Sequence, residues 1–395
     1  MKTHTIKVKP DVLKSLRYYA RQKTPKVLEH FQKSSKLKFK VDDKYLKEIE
    51  TSEHELNLGL VKELATLYKF PLSCFLLPKP LKDDLVPPDY RKVSADQKGI
   101  VSPKGAIALR WARRAQYVIS TLNDTSADLF PKVRLQDDPE KVALKALELL
   151  PKAFKVQEKS SNPYDFFVEL RNSLGELGIV VLKMTFPLDD ARAFSLTDQK
   201  PYTIVINNKD GTEFGYSPKI FSLLHEFGHI LLREGGLCND FSSDNTIAQE
   251  VFCNAFAAAC LIPTTELRLF LDEKKFNSLT TKEQIETIDA LHKRFLVSGE
   301  VVIRKMHTIG YITWDSKDSL LVDWNKYAVR YRKNTFIPKL SQSQKCVGKN
   351  GTYYTQTVFD GIARGAVTPE KAVSYLGIKL KHFNELRGVV SRIKT

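Results

Sequence analysis

Phe221-Ser222-Leu223-Leu224-His225-Glu226-Phe227-Gly228-His229-Ile230-Leu231-Leu232 is an apolar stretch interrupted by two histidines and a carboxylate. A stretch this apolar belongs in a protein interior, where His and Glu side chains need partners. His225 and His229 are four residues apart, so on a helix both imidazoles share one face, one turn apart, and can reach one metal ion. Glu226 follows the first histidine, where a carboxylate can serve as general base toward a water beside the metal. Gly228 lets a second element approach the helix closely. The competing reading is a pair of core histidines held by salt links.

A catalytic zinc site needs a third protein ligand and one open position. Residues 249–263 form an apolar helix rich in small side chains (Ala255, Ala257, Ala258, Ala259) with one carboxylate, Glu250, near its start. Glu250 is the expected third ligand. Asn254, one turn later on the same face, is expected to hydrogen-bond a ligand from behind. A carboxylate in a first helical turn is otherwise ordinary. Glu234, Asp240 and Asp244 on the intervening loop compete for the ligand role, as do the more distant His292 and His307. Cys253 reads as a small buried side chain. Tyr202, Tyr216 and Lys219 are the candidates for stabilising an oxyanion, although a tyrosine here is more often packing.

The rest of the 395-residue chain bounds this reading. Its 42% apolar and 27% charged residues are ordinary for a globular protein, and its length suffices for two or three domains. No apolar run reaches the roughly 18–20 residues of a membrane helix. The N-terminal residues lack the apolar stretch of a secretory signal, so a cytoplasmic location is expected. Five scattered cysteines (Cys74, Cys238, Cys253, Cys260, Cys346) contain no C-x-x-C pair, which fits a reducing compartment and argues against a thiolate zinc site. The net charge of +16 is uneven. Residues 1–40 carry twelve Lys/Arg against Asp11 and Glu29, whereas residues 191–260 carry five basic and eight acidic side chains. The basic N-terminal segment could therefore meet nucleic acid or an acidic protein, or be a solvated surface.

Hydrophobic periodicity predicts short helices over residues 10–69, with Thr24-Pro25 opening one and others over 42–50 and 59–69. The Pro-bounded segment 70–78 is expected to be extended, and 79–89 to be a linker. Helices are predicted over 102–127, 138–150 and 163–177, and strands over 178–182, 192–196 and 203–207. Residues 208–216 read as a polar turn region. Helical patterns follow from 217 to about 310. Residues 326–349 contain seven Lys/Arg and no acid, and helices resume after them.

Phe221 to His229, together with Glu250-x-x-Cys253-Asn254-x-Phe256-Ala257-Ala258, resembles the ImmA/IrrE family of metallo-endopeptidases. Ala193-Phe194-Ser195-Leu196 and Ile204-Val205-Ile206-Asn207 look like that family's strands leading to the zinc helix. The resemblance implies one Zn2+ per chain held by His225, His229 and Glu250, with Glu226 as the base. Ile49-Glu50, Leu64-Ala65, Tyr68, Pro71-Leu72 and Phe75 to Pro78 look like the end of an Xre-type helix-turn-helix domain, which often precedes this peptidase. Ile49, Ser52 and Leu56-Asn57 depart from that pattern, where Trp, Gly and Pro-Thr are usual. Lys219 stands where the family often has Arg. Pro88-Asp89-Tyr90-Arg91 and Ser102-Pro103 resemble the connector of longer members, and 297–310 and 351–377 resemble their C-terminal extension.

The expected fold is α+β and mostly helical. It comprises a helix-turn-helix-like bundle (1–80), a helical connector (81–160), a zincin-like peptidase domain with a small sheet (161–316) and a helical C-terminal extension (317–395). The resemblance implies a cytosolic endopeptidase acting on a specific regulatory protein, a helix-turn-helix repressor or antitoxin of a phage or stress circuit. Two other readings compete. One is a DNA-binding regulator whose metal domain is a sensor, with DNA met by the basic N-terminal domain. The other is a protease toxin or effector of a toxin-antitoxin or phage-defence module.

Overall fold

The computed structural model describes residues 4–34, 39–81, 102–123, 128–211, 215–233, 237–238, 248–329 and 340–393. The chain divides into two compact units, Met1–Trp111 and Ala112–Thr395.

The first unit contains β1 (Thr5–Val8), α1 (Pro10–Tyr19), α2 (Thr24–Lys33), α3 (Asp43–Ile49), β2 (His54–Asn57) and α4 (Leu58–Tyr68). Pro sits in the first turn of α1 and of α2, where its missing N–H costs nothing. Asp42 caps α3, and Asn57 caps α4 by accepting from the Gly59 and Leu60 N–H groups. Val12, Leu13, Leu16, Val27, Leu60 and Leu64 are fully buried and form the core of this unit. Arg17 grips Glu50 through two hydrogen bonds of 2.6 and 2.7 Å, tying α1 to the end of α3. One local expectation fails here, and one unforeseen strand falls between the helices expected over 42–50 and 59–69. Residues 54–57 pair antiparallel with β1 from Thr5↔Asn57 to Val8↔His54. Residues Leu72–Leu76 form a 3-10 helix instead of an extended segment, because Phe75 turns inward to stack on Tyr68. The expected linker 79–89 lies largely outside the described residues.

α5 (Pro103–Leu122) crosses the division between the units. The second unit continues with α6 (Pro139–Leu149), α7 (Pro151–Lys159) and α8 (Pro163–Glu176), then the strands β3 (Val180–Met184), β4 (Ala193–Leu196) and β5 (Thr203–Asn207). α9 (Ser217–Leu232), β6 (Leu237–Cys238) and α10 (Ala248–Leu261) follow. The remaining helices are α11 (Thr264–Glu273), α12 (Thr281–Phe295), α13 (Gly299–Thr308), α14 (Trp314–Ala328), α15 (Gln342–Asn350), α16 (Thr352–Ala363), α17 (Pro369–Leu376) and α18 (Phe383–Ile393). The four-stranded sheet has the order β3-β5-β4-β6. β3 and β5 are parallel, and the other pairs are antiparallel. Every residue of β5 is buried, as its unbroken Thr203-Ile204-Val205-Ile206 run requires. β3 begins two residues later than expected, because Gly178, at φ +77°, first reverses the chain leaving α8.

α9 packs on β4 and β5, and α10 packs along α9 and α6. This arrangement makes the core of the second unit continuous from Phe166 and Leu170 through Leu223, Phe227 and Phe256 to Leu291. Burying a side chain of this size contributes roughly 1.5–3 kcal/mol. No helix among the described residues is long and apolar enough to cross a membrane.

Candidate metal centre

Pro218 opens α9 in its first turn, and Arg233 closes it in the left-handed region at φ +60°. The start of α9 is anchored by one buried carboxylate in the turn after β5. Asp210 accepts from Arg192 at 3.0 Å and from the Ser222 hydroxyl at 2.8 Å, while its backbone carbonyl accepts from the Lys219 ammonium. Burial raises the Asp210 carboxyl above its ordinary range, against the pull of Ser222, Arg192 and Lys219. The sequence reading did not single out Asp210. Its signal was the Asn207-Asn208-Lys209-Asp210-Gly211 turn between β5 and α9.

The crossing of α9 and α10 is set by Gly228. A Cβ there would lie 3.1 Å from Cys253 Sγ, 3.1 Å from Phe256 Cδ1 and 3.4 Å from Cys253 Cα. Glycine therefore lets the two helices approach closely at the level of the histidines. Three side chains meet there. His225 Nε2 is 3.3 Å from Glu250 Oε2, His229 Nε2 is 3.3 Å from Glu250 Oε1, and the two Nε2 atoms are 3.2 Å apart. Both histidines are buried, and Glu250 keeps 25% of its side chain exposed, so the trio opens toward solvent on the carboxylate's side.

The donor set suits a divalent cation of the zinc type. Two imidazole nitrogens and a carboxylate oxygen are common zinc donors, and tetrahedral ligands at about 2.0–2.1 Å from zinc stand roughly 3.3 Å from one another. The three separations in this centre are 3.2, 3.3 and 3.3 Å. The ring of His225 is also set for ligation. Its Nδ1 is 2.9 Å from Asn254 Oδ1, an atom that can only accept, so Nδ1 carries the proton and Nε2 offers its lone pair. Burial pushes the Glu250 carboxyl up, but hydrogen bonds and charge from His225 and His229 outweigh it and hold the group well below its ordinary range. Glu226, next to His225 on α9, is fully buried.

His225, His229, Glu250 and Asn254 thus converge. The contacts of the three oxyanion candidates lie elsewhere. Lys219 is bonded to the Asp210 carbonyl. Tyr216 stands before the first residue of α9, packed on Tyr164 and Phe167 with ring centroids 4.9 and 5.1 Å away. Tyr202 lies by the other end of α9, under the Arg233 guanidinium and beside Phe130. His292 bonds the Val297 carbonyl and packs on Trp324, and His307 packs on Trp314. Glu234, Asp240 and Asp244 lie outside the described residues.

A cleft of about 1590 Å³ reaches Asn254, though none of His225, Glu226, His229 and Glu250 lines it. Phe221, Ala255, Ala258, Val301 and Trp314 are among its lining residues. The sequence reading did not foresee it, because its walls come from helices some fifty residues apart in the chain.

Residues 174–307 match the family model of peptidase family M78, described as the IrrE N-terminal-like domain. The matched segment contains α9 and α10 and the whole His225, His229, Glu250 trio. No curated protein and no solved structure matches the chain.

Proposed function

Residues 174–307 being an IrrE N-terminal-like domain of the ImmA/IrrE family of peptidases, we propose that the protein is a zinc-dependent endopeptidase that hydrolyses a regulatory protein. One observation carries the reading: two imidazole nitrogens and a carboxylate meet at 3.2–3.3 Å, and a buried glutamate follows the first ligand on the same helix. Zinc, when bound, would polarise a scissile carbonyl and lower the pKa of a water toward about 7. Glu226 takes the proton of the attacking water and passes it to the departing amine. Asn254 holds the His225 ring in its ligating tautomer, and the Asp210 network holds the start of α9 against the sheet. Burial of Glu226 and both histidines keeps bulk water from competing for these groups. The cleft that Asn254 and Phe221 line has room for several residues of an extended chain. The family resemblance favours a repressor or antitoxin as the substrate.

The test compares the purified protein and its Glu226→Gln variant. Both should carry about one zinc per chain by elemental analysis. Produced in the source organism, only the unaltered protein should generate new N-termini detectable by mass spectrometry. Absence of zinc from the purified protein, or the same cleavages from Glu226→Gln, would overturn the proposal.

A further inference from the structure

The cleft that reaches Asn254 carries side chains that the metal centre does not use. α10 lines it with Val251, Ala255 and Ala258, which share one face of the helix by their spacing of four and three residues. Val251 directly follows Glu250, so this stripe starts beside the metal centre. α13 and α14 add Val301, Trp314 and Trp324. Val251 and Trp314 remain 51% and 62% exposed although both are apolar. Apolar surface left open inside a cleft is where a bound chain buries a side chain of its own.

The charges of the cleft decide what kind of chain it suits. Among the described lining residues, six are Lys or Arg and four are Asp or Glu. All four acids are engaged within the protein. Glu140 accepts from the Lys305 ammonium and, at 2.8 Å, from the Thr264 hydroxyl. Asp289 accepts from Lys293 at 2.5 Å, and Glu300 from Arg304 at 2.7 Å. Asp138 caps α6 by accepting from the Glu140 N–H at 2.9 Å. The cations are not matched in the same way. Arg268 donates to a neutral acceptor, the Ile309 carbonyl. Lys317 is only 6% exposed, and its ammonium lies over the Trp314 ring, 3.1 Å from the centroid. Its acidic neighbour Asp318, 3.3 Å away, keeps 59% of its side chain in solvent. A buried ammonium gains most from an anion that joins it away from water. An acid entering this cleft therefore meets neutralised carboxylates and a surplus of positive charge, with an indole face beside it.

We propose that this cleft selects the substrate by an acidic segment away from the cut. A large apolar side chain of that segment lies against Trp314, a neighbouring carboxylate sits on Lys317, and the chain runs on past Val251 to the metal centre. The proposal rests on the endopeptidase reading above. Its test uses the zinc-loaded full chain carrying Glu226→Gln, so that binding is read without cleavage. Fluorescence anisotropy compares two labelled peptides that differ only in Glu-Phe-Glu against Lys-Phe-Lys at their centre. The acidic peptide should bind at least about tenfold more tightly. Lys317→Met should bring the two affinities within about threefold of each other, and Lys317→Arg should keep the preference. A merely structural role for Lys317 would weaken both peptides alike and leave their ratio unchanged. Trp314→Ala, at an exposed position, should weaken the acidic peptide by about tenfold. The proposal is overturned if neither peptide binds, if the two bind equally, or if Lys317→Met leaves the ratio unchanged. It is also overturned if Trp314→Ala binds the acidic peptide like its parent, or if free N-acetylglutamate binds as tightly as that peptide, which would assign the cleft to a small anion. Zinc content and cleavage are read separately. A chain that prefers the acidic peptide but neither holds zinc nor cleaves would sink the endopeptidase reading and leave the acidic-segment site standing. A chain that cleaves its target without that preference would sink this proposal alone.

Discussion

Asn254 Oδ1 sits 2.9 Å from Nδ1 of His225, behind the ring whose Nε2 faces Glu250. The amide fixes both the tautomer and the rotation of a ligand without belonging to the donor set. Asn254→Leu should therefore weaken zinc binding by about 10–100-fold, and Asn254→Asp, which keeps an acceptor in place, should retain most of it. Competition with a chromophoric chelator measures both. Equal affinities for the Leu variant and the unaltered protein would remove Asn254 from the centre.

Gly228 tests whether helix spacing sets the centre. A methyl group there meets Cys253 and Phe256 at 3.1 Å and the Cys253 backbone at 3.4 Å, so α10 must move away from α9 to admit it. Gly228→Ala should cost about 1–3 kcal/mol of stability. It should also lower zinc affinity, because Glu250 travels with α10 while the imidazoles stay on α9. The companion Cys253→Ala, which removes the Sγ contact, should partly restore both in the double variant. Thermal melts with and without zinc separate the two effects.

Arg171 of α8 is buried and bonded to backbone carbonyls. It donates to Val181 at 2.5 and 2.9 Å, to Gly348 at 2.8 Å and to Lys349 at 3.0 Å. These groups join α8, β3 and the last turn of α15, where a cation is favourably placed. Burial pushes the guanidinium down to about 10. Arg171→Met leaves three buried carbonyls to find new donors and should cost about 2–4 kcal/mol. Arg171→Lys should rescue little, since an ammonium cannot reproduce the planar fork. Urea unfolding midpoints read both.

Lys183 gives a pH signature. Burial first, then the charges of Arg171 and Lys219, push its ammonium down to about 8 from an ordinary 10.5. Between those values the unfolded chain binds more protons than the folded one, so stability rises with pH from about 8 upward. Lys349, also pushed down to about 8, acts in the same direction. Lys183→Met should raise the melting temperature at neutral pH and shrink the gain between about pH 7.5 and 9.5. A variant whose pH profile parallels that of the unaltered protein would show that Lys183 titrates normally in the fold.

The elements around the centre were the most legible from sequence. Thr203–Asn207 and the start of α9 at Ser217 fall where the apolar run and the onset of helical pattern put them. β2 was missed because His54-Glu55-Leu56-Asn57 is a four-residue polar strand, formed through its pairing with β1 about fifty residues earlier. Local pattern does not report such a pairing. The 3-10 turn at Leu72–Leu76 likewise depends on a distant stacking partner, Tyr68, for its inward Phe75. In the site, the i, i+4 histidines announced themselves. Asp210 did not, because a carboxylate in a polar turn is commonplace, and burial under Arg192 and Ser222 alone distinguishes it.

The guanidinium of Arg171 lies just ahead of the segment that matches a known family, which begins at residue 174, and two of its acceptors lie some forty residues beyond its end at 307. Trp324 is likewise outside that segment, and its ring system lies where a Cβ on Gly299 would have to go, 2.2 Å away. The segment that matches the family model is thus shorter than the packed unit around it. A piece of chain carrying 174–307 alone would contain His225, His229 and Glu250 but neither Arg171 nor Trp324. A host for this segment would therefore have to supply a donor for the Val181 carbonyl and a side chain to cover Gly299.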